Sequence, residues 1–278
     1  MKLIFKNSLG EKTLCGMGSD SIGITDIRGL SVPTYERQCY SSYDFDGAVE
    51  SARRIPQRNI TISGDIKGTA RDVSDFLKLM SEPFKMTVET DNFKRSITVS
   101  AANSNISKVS KNITKFALSL VCDDPYFYDT EDTKVPLFYR EELLTNETVL
   151  PSMFSRRTAS ASLNVTSDRI IEPKIIITGK KIESDEDGRI VIENKLTGAE
   201  FTLLYTPEEN EIITVDVKKR SITSDKNGNI ISSITKDSYM SDLEIDKNGA
   251  VFSLTGYGSA TNISAYIIYK NCYLEATA

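Results

Sequence analysis

The chain has 278 residues, 39% of them hydrophobic and 26% charged, a balance that fits a soluble globular protein with one large or two ordinary cores. Net charge is −5, with 17 Lys/Arg against 16 Asp/Glu in residues 1–130 and 17 against 23 in residues 131–278. Neither half holds the basic surplus that phosphate binding needs, which excludes specific nucleic-acid binding, and the absence of histidine removes Ser-His-Asp and Cys-His catalysis together with His-based zinc sites.

In chain order, the opening Met1-Lys2-Leu3-Ile4-Phe5-Lys6-Asn7 turns polar too early for a secretion signal. No apolar run approaches the roughly 20 residues of a membrane span. The protein is expected to be made in the cytosol, to stay soluble and to need no membrane. Ile24-Thr25-Asp26-Ile27-Arg28-Gly29-Leu30 reads as a short strand. Residues 30–58 are polar, carry aromatics and lack a clear period, and they hold Arg37, Arg53, Arg54 and Arg58. Such a stretch is either a functional extension or a surface hairpin.

Ile60, Ile62 and Ile66 then alternate around Gly64 as a half-buried strand. Val73, Phe76, Leu77 and Met80 sit at helical spacing, with Thr69 or Asp72 as the cap and Pro83 beyond the end. The two-residue period resumes at Phe84, Met86 and Val88. It continues through an Asp91-Asn92 turn to Phe93, Ile97 and Val99, and again at Phe116, Leu118 and Leu120.

Residues 131–160 mix Pro136, acids and polar residues without a period and read as a linker or a swapped segment. From residue 161 to 278 the pattern is β. Strands are expected at Lys174–Ile177, Ile190–Ile192, Phe201–Tyr205, Ile212–Val217, Asn229–Ile234, Val251–Leu254 and Ser264–Tyr269, with hairpin turns at Asp187-Gly188, Asn227-Gly228 and Asn248-Gly249. Many short strands without a helix argue for a sandwich or jelly roll. The expected division is therefore 1–130, a connecting 131–160, and 161–278.

Little in the pattern points to chemistry. Cys15, Cys39, Cys122 and Cys272 are scattered without a CxxC pair and are expected to be reduced structural thiols. Glu183-Ser184-Asp185-Glu186-Asp187-Gly188 resembles the start of a calcium loop, but its twelfth position is Asn194 rather than a bidentate Glu, so a turn is expected and no metal. Asp123-Asp124, Glu208-Glu209 and Asp185 with Asp187 are neighbouring acids, whereas glycoside hydrolysis needs two carboxylates held across a cleft. Neither GxGxxG nor GxxxxGK[ST] occurs, and no Gly-x-Ser-x-Gly elbow. No enzyme activity and no cofactor are expected.

The order of pieces in residues 1–130 carries a resemblance. Ile24–Leu30, then an irregular arm, then Arg58-Asn59-Ile60-Thr61-Ile62-Ser63-Gly64, a short helix and a hairpin lead to Phe116-Ala117-Leu118-Ser119-Leu120-Val121-Cys122-Asp123-Asp124-Pro125-Tyr126-Phe127. With its R-x-I-T-x-x-G strand and F-x-x-x-L-x-x-x-D-P-Y-F ending, this half resembles the distal tail protein (siphovirus-type tail component) family of phages and prophages of Gram-positive bacteria. The resemblance implies a mainly β fold. A β-sandwich-like ring domain with one short α-helix would precede a C-terminal galectin-like or jelly-roll β-sandwich.

It also implies a homohexameric ring in the baseplate of the virion tail tip, assembled in the host cytoplasm. That ring would join the tail-tube protein to the tail-tip or tail-associated protein, with Arg37, Arg53, Arg54 and Arg58 as candidate subunit contacts on the arm. The alternative function is a carbohydrate-binding module that docks the phage to host-wall polysaccharide, and a receptor-binding protein is a further candidate partner. Tyr205, Tyr239, Tyr257, Tyr266, Tyr269 and Tyr273 are candidate stacking faces.

Overall fold

A computed structural model describes residues 1–16, 21–41, 43–44, 46–142, 155–158, 160–180, 187–261 and 263–277, without the side chains of 138–142, 155–158, 259 and 261. The chain divides into two compact units, one of Met1–Thr130 with Cys272–Ala278 and one of Glu131–Asn271. The fold is mainly β, as expected, with a single α-helix among the described residues.

In the first unit the strands are β1 (Lys2–Asn7), β2 (Gly10–Cys15), β3 (Ile22–Arg28), β4 (Glu36–Tyr40), β5 (Val49–Arg54) and β6 (Arg58–Lys67). After helix α1 (Ala70–Leu79) come β7 (Phe84–Glu89), β8 (Lys94–Lys108), β9 (Ile113–Cys122) and β10 (Phe127–Asp129). The sheet order β8-β7-β1-β2-β3-β6-β9 closes through a β8–β9 ladder, so seven strands form a barrel without free edges.

The two-residue period decides which side chains fill it. Leu3, Phe5, Leu14, Ile60, Ile62, Ile66, Met86, Val88, Ile97, Val99, Leu118 and Leu120 point inward and are buried. The helix adds Phe76, whose ring lies 6.5 Å from Phe5 and 5.2 Å from Phe116. Thr69 caps it, and Asp72 reaches back to accept from the Thr69 N–H at 2.7 Å, which holds that carboxyl below its usual pKa. Leu79 rather than Leu77 completes the buried stripe beside Phe76 and Met80.

One position in the barrel depends on the lack of a side chain. A Cβ at Gly64 would stand 2.0 Å from the Gly23 carbonyl oxygen and 2.7 Å from the Phe116 ring, next to a register shift between Ile24 and Asp26. Overpacking of this kind costs about 1–3 kcal/mol. Gly64→Ala is expected to lower the thermal midpoint accordingly, whereas Gly16→Ala, with nothing within 4 Å, is expected to be neutral.

The second unit holds β11 (Thr133–Glu142), β12 (Ser155–Thr158), β13 (Ser160–Leu163), β14 (Lys174–Gly179), β15 (Arg189–Asn194) and β16 (Ala199–Leu204). It continues with β17 (Ile212–Asp216), β18 (Ser221–Ser224), β19 (Gly228–Asn229), β20 (Ala250–Tyr257) and β21 (Ile263–Tyr269). They form two sheets, ordered β12-β11-β21-β14-β17-β18-β19 and β13-β20-β15-β16. Ile175, Ile177, Ile213, Val215, Ala265 and Ile267 of the larger sheet share one core with Leu163, Ile190, Ile192, Phe201, Leu203, Phe252 and Leu254 of the smaller. This is a β-sandwich. The stretch 131–160 contributes β11 and β12 to the larger sheet through pairing of Thr133–Phe138 with Ala265–Tyr269.

Two expected local features differ. Asp187-Gly188 is not a hairpin turn, because β14 and β15 lie in different sheets. The expected strand Asn229–Ile234 stops at Asn229 and continues as a 3-10 turn over Ile231–Ser233, with Ile230 buried and Ile231 exposed. The last strand, β22 (Cys272–Tyr273), pairs with β10 and belongs to the first unit.

Candidate functional site

The irregular stretch after residue 30 contains a ribbon of its own. Among the described residues strands β4 and β5 pair only with each other, with a register shift between Gln38 and Cys39, and every residue of both is exposed. Alternating charge holds it together: Arg54 Nε lies 2.7 Å from Glu36, Arg37 Nε 3.7 Å from Glu50, and the Arg53 guanidinium 3.6 Å over the Tyr35 ring. Exposed ion pairs add about 0–1 kcal/mol each, and a two-stranded hairpin without a covered face is marginal in water. Tyr40, Tyr43 and Val49 are exposed on the same ribbon.

Arg37, Arg53 and Arg54 therefore all lie on the ribbon, Arg37 and Arg53 on one face and Arg54 on the other. Arg58 does not lie on it. It opens β6 on the inward-facing register, is 3% exposed, and its guanidinium donates to four carbonyl oxygens. Those are Pro125 at 2.7 Å, Gly29 at 2.7 Å, Ser31 at 2.8 Å and Leu274 at 2.6 Å. Its charge also lies 4.9 Å over the Phe127 ring.

The two sequence patterns that carried the resemblance thus meet, since Arg58 belongs to the first and Pro125 and Phe127 to the second. Asp124 holds that turn by accepting from the Tyr128 hydroxyl at 2.7 Å and the Tyr126 N–H at 3.3 Å. A parallel fastening uses Arg95, which lies over the Tyr273 and Phe93 rings and donates to the Glu275 carbonyl at 2.7 Å. Cys122, opposite Arg58 in the ladder, is buried, which pushes its thiol up to about 12 and keeps it unreactive.

The candidate catalytic acids are occupied in holding turns. Asp123 accepts from Gln57 Nε2 at 2.7 Å, and Glu208 lies 3.1 Å from Lys226. Asp185, and with it the calcium-like loop from Glu183 to Glu186, falls outside the described residues. Among the described residues no group of three or more His, Cys, Asp or Glu side chains comes together as a metal site.

Sequence reasoning passed over Glu211, which is fully buried in the second unit. It accepts from the Tyr205 hydroxyl at 2.5 Å, the Ser224 hydroxyl, the Glu208 N–H at 2.7 Å and Asn227 Nδ2 at 3.3 Å. Burial alone would raise its pKa, but the hydrogen bonds from Ser224, Tyr205, Glu208 and Asn227 outweigh it and leave the carboxyl below its ordinary value. Tyr205 is shifted up by burial and by that carboxylate, so it keeps its proton as a donor.

Of the other candidate stacking tyrosines, Tyr269 is buried, Tyr266 lies beneath Lys134 at 3.5 Å, and Tyr273 belongs to the first unit. Tyr239 and Tyr257 remain exposed.

The whole chain is similar to solved phage proteins. A chain described as SPP1 Dit, a paradigm of the hub adsorption apparatus in phages that infect Gram-positive bacteria, superposes with a TM-score of 0.66 at 13% identity, covering 91% of this chain and 94% of that one. A chain of the phage P2 baseplate in its activated conformation with Ca gives 0.52 at 11% identity, covering 96% and 97%. The corresponding chain with Sr gives 0.51 at 10% identity over the same shares. No protein-family model matches the sequence, and no curated protein matches it. At these identities the likeness is one of fold.

Proposed function

We propose that this chain is a distal tail protein of a bacteriophage, a structural and non-enzymatic component of the tail-tip baseplate. In this reading copies join into a homohexameric ring between the tail-tube protein and the tail-tip or tail-associated protein, in virions assembled in the host cytoplasm. The observation that carries it is the likeness of the chain to SPP1 Dit over 94% of that protein's length.

The β4–β5 ribbon supports the ring. A closed ring needs two different complementary patches on each protomer, and a ribbon with eleven exposed residues offers one such patch. Arg37, Arg53, Arg54, Tyr40 and Tyr43 are the contacts it offers, while Arg58 serves inside its own barrel. The near-neutral charge of residues 1–130 also suits a channel that must pass DNA without gripping it.

Light scattering of the full chain at high concentration, alone and with a tail-tube protein, is expected to report one discrete multiple of the protomer, and electron micrographs to show a ring. A monomer under both conditions overturns the proposal. Replacing Glu36–Arg54 with a short Gly-Ser link is expected to leave a folded monomer that no longer closes into a ring. In the intact protein, exposed Cys39 on β4 is expected to lose maleimide reactivity when the ring forms, and peptide mapping would reveal this.

A further inference from the structure

The ladder that closes the barrel between β8 and β9 starts at Ser100 and Val121 and runs to Lys108 and Thr114. Before Ser100, β8 has another neighbour. Ser96 and Arg95 pair with Tyr128 and Asp129 of β10, and β10 pairs in turn with Cys272 and Tyr273 of β22. From there the chain crosses to β6 and the end of β3. Arg95 lies over the Tyr273 side chain and donates to the Glu275 carbonyl at 2.7 Å. Arg58 donates to the Leu274 carbonyl at 2.6 Å, and the Ala276 N–H donates to the Leu30 carbonyl at 2.8 Å. Ala276 is fully buried in the barrel core. Residues 272–276 therefore strap β8, β6 and the end of β3 together where the β8–β9 ladder has not begun.

The strap grips the roots of the β4–β5 ribbon. Leu30 and Ser31 lead into β4, and Arg58 follows β5. Arg58 also donates to the Gly29 and Ser31 carbonyls, at 2.7 and 2.8 Å. One guanidinium thus ties together the chain entering the ribbon, the chain leaving it and the strap. Every residue of β4 and β5 is exposed, and among the described residues these strands pair only with each other, so the roots set the direction of the ribbon. The strap has two ladder pairs to β10, against ten between β6 and β9. A short ladder opens at lower free energy than a long one buried in the wall.

We propose that residues Cys272–Ala276 are a latch for the ribbon. Docked, they hold its roots against the barrel and present it for ring closure. Open, they leave the barrel walls folded and the ribbon without a fixed direction. Leu274 stands 216 residues beyond Arg58, past the whole second unit, so a chain still being synthesised carries an unlatched ribbon and does not close rings. The step to assembly rests on the ring reading above, whereas the latch itself does not.

Peptide-resolved hydrogen exchange on the full-length protein gives the first readout. Residues 272–276, 29–35 and 55–58 are expected to open together, at lower free energy than β6 and β9. Ala276→Asp puts a charge at a buried site, and the milder Tyr273→Ala removes the side chain beneath Arg95. Both are expected to lose protection in those three stretches while β6 and β9 stay protected as in the parent. Thr277→Ala, exposed in the same segment, is expected to change nothing. Light scattering gives the second readout. A latch docked about a tenth of the time raises the concentration at which rings form about tenfold.

Protection that persists at 29–35 and 55–58 while 272–276 exchanges freely overturns the latch. So does loss of β6 and β9 protection in both variants, which would make the strap an ordinary part of the wall. Rings that form at the parent's concentration in both variants overturn its link to assembly. A parent that forms no ring removes the hub reading, and the exchange result then decides the latch by itself.

Discussion

Arg58→Ala is expected to destabilise the first unit by about 3–5 kcal/mol, the size seen when one partner of a buried charged hydrogen-bond network is removed. Among the described residues the guanidinium forms no ion pair with a carboxylate. Four carbonyl dipoles, from Gly29, Ser31, Pro125 and Leu274, and the face of Phe127 replace its hydration. Burial pushes its pKa down from 12.5, yet an arginine keeps its proton at neutral pH, so all its donors stay available.

An alanine there takes the donor from four carbonyl oxygens and leaves an empty volume between three chain segments. Arg58→Lys is expected to recover only part of the loss. A compact ammonium has three donors and lacks the flat fork that reaches carbonyls lying in four directions. Urea unfolding with peptide-resolved hydrogen exchange checks this. Protection should fall first around Gly29–Ser31, Pro125–Phe127 and Leu274–Ala276, where the Ala276 N–H already relies on the Leu30 carbonyl. Unchanged exchange at all three would refute the account.

Where one face of a strand is wet and the other buried, the sequence was easy to read. Ile60, Ile62 and Ile66, or Phe116, Leu118 and Leu120, alternate because the barrel interior admits only every second residue. The role of Arg58 was present in that same alternation. It sits two residues before Ile60 and four before Ile62, on the inward register, while its charge suggested company with Arg37, Arg53 and Arg54 on the surface.

Pairing was less legible, because alternation says which face is buried and nothing about the neighbour. Asp187-Gly188 has hairpin chemistry, yet the chain there crosses from one sheet to the other. Two residues at the far end of the chain, Cys272 and Tyr273, complete the sheet beside β10, a contact spanning more than half the sequence that no local pattern announces.

Glu211→Ala is expected to destabilise the second unit by about 3–5 kcal/mol, because the donors gathered around this buried carboxylate lose their acceptor. The carboxylate collects the Tyr205 and Ser224 hydroxyls, the Glu208 N–H and Asn227, and thereby ties the loop before β17 to the β18–β19 turn. Glu211→Gln keeps the shape but turns an amide donor toward one of those donors, so about 1–3 kcal/mol is expected.

The pH dependence follows from the direction of the shift. The folded carboxyl titrates below the unfolded value of about 4.3. Its contribution is therefore complete above that value and declines as pH falls through the lower folded pKa. The stability gap between the parent protein and Glu211→Gln should be constant from neutral pH to about 5 and should narrow below about 4. Thermal melts across that range, with hydrogen exchange in Glu131–Asn271 as the local readout, test the sign directly. A gap that widens on acidification would mean that burial, and not the four donors, dominates the carboxyl.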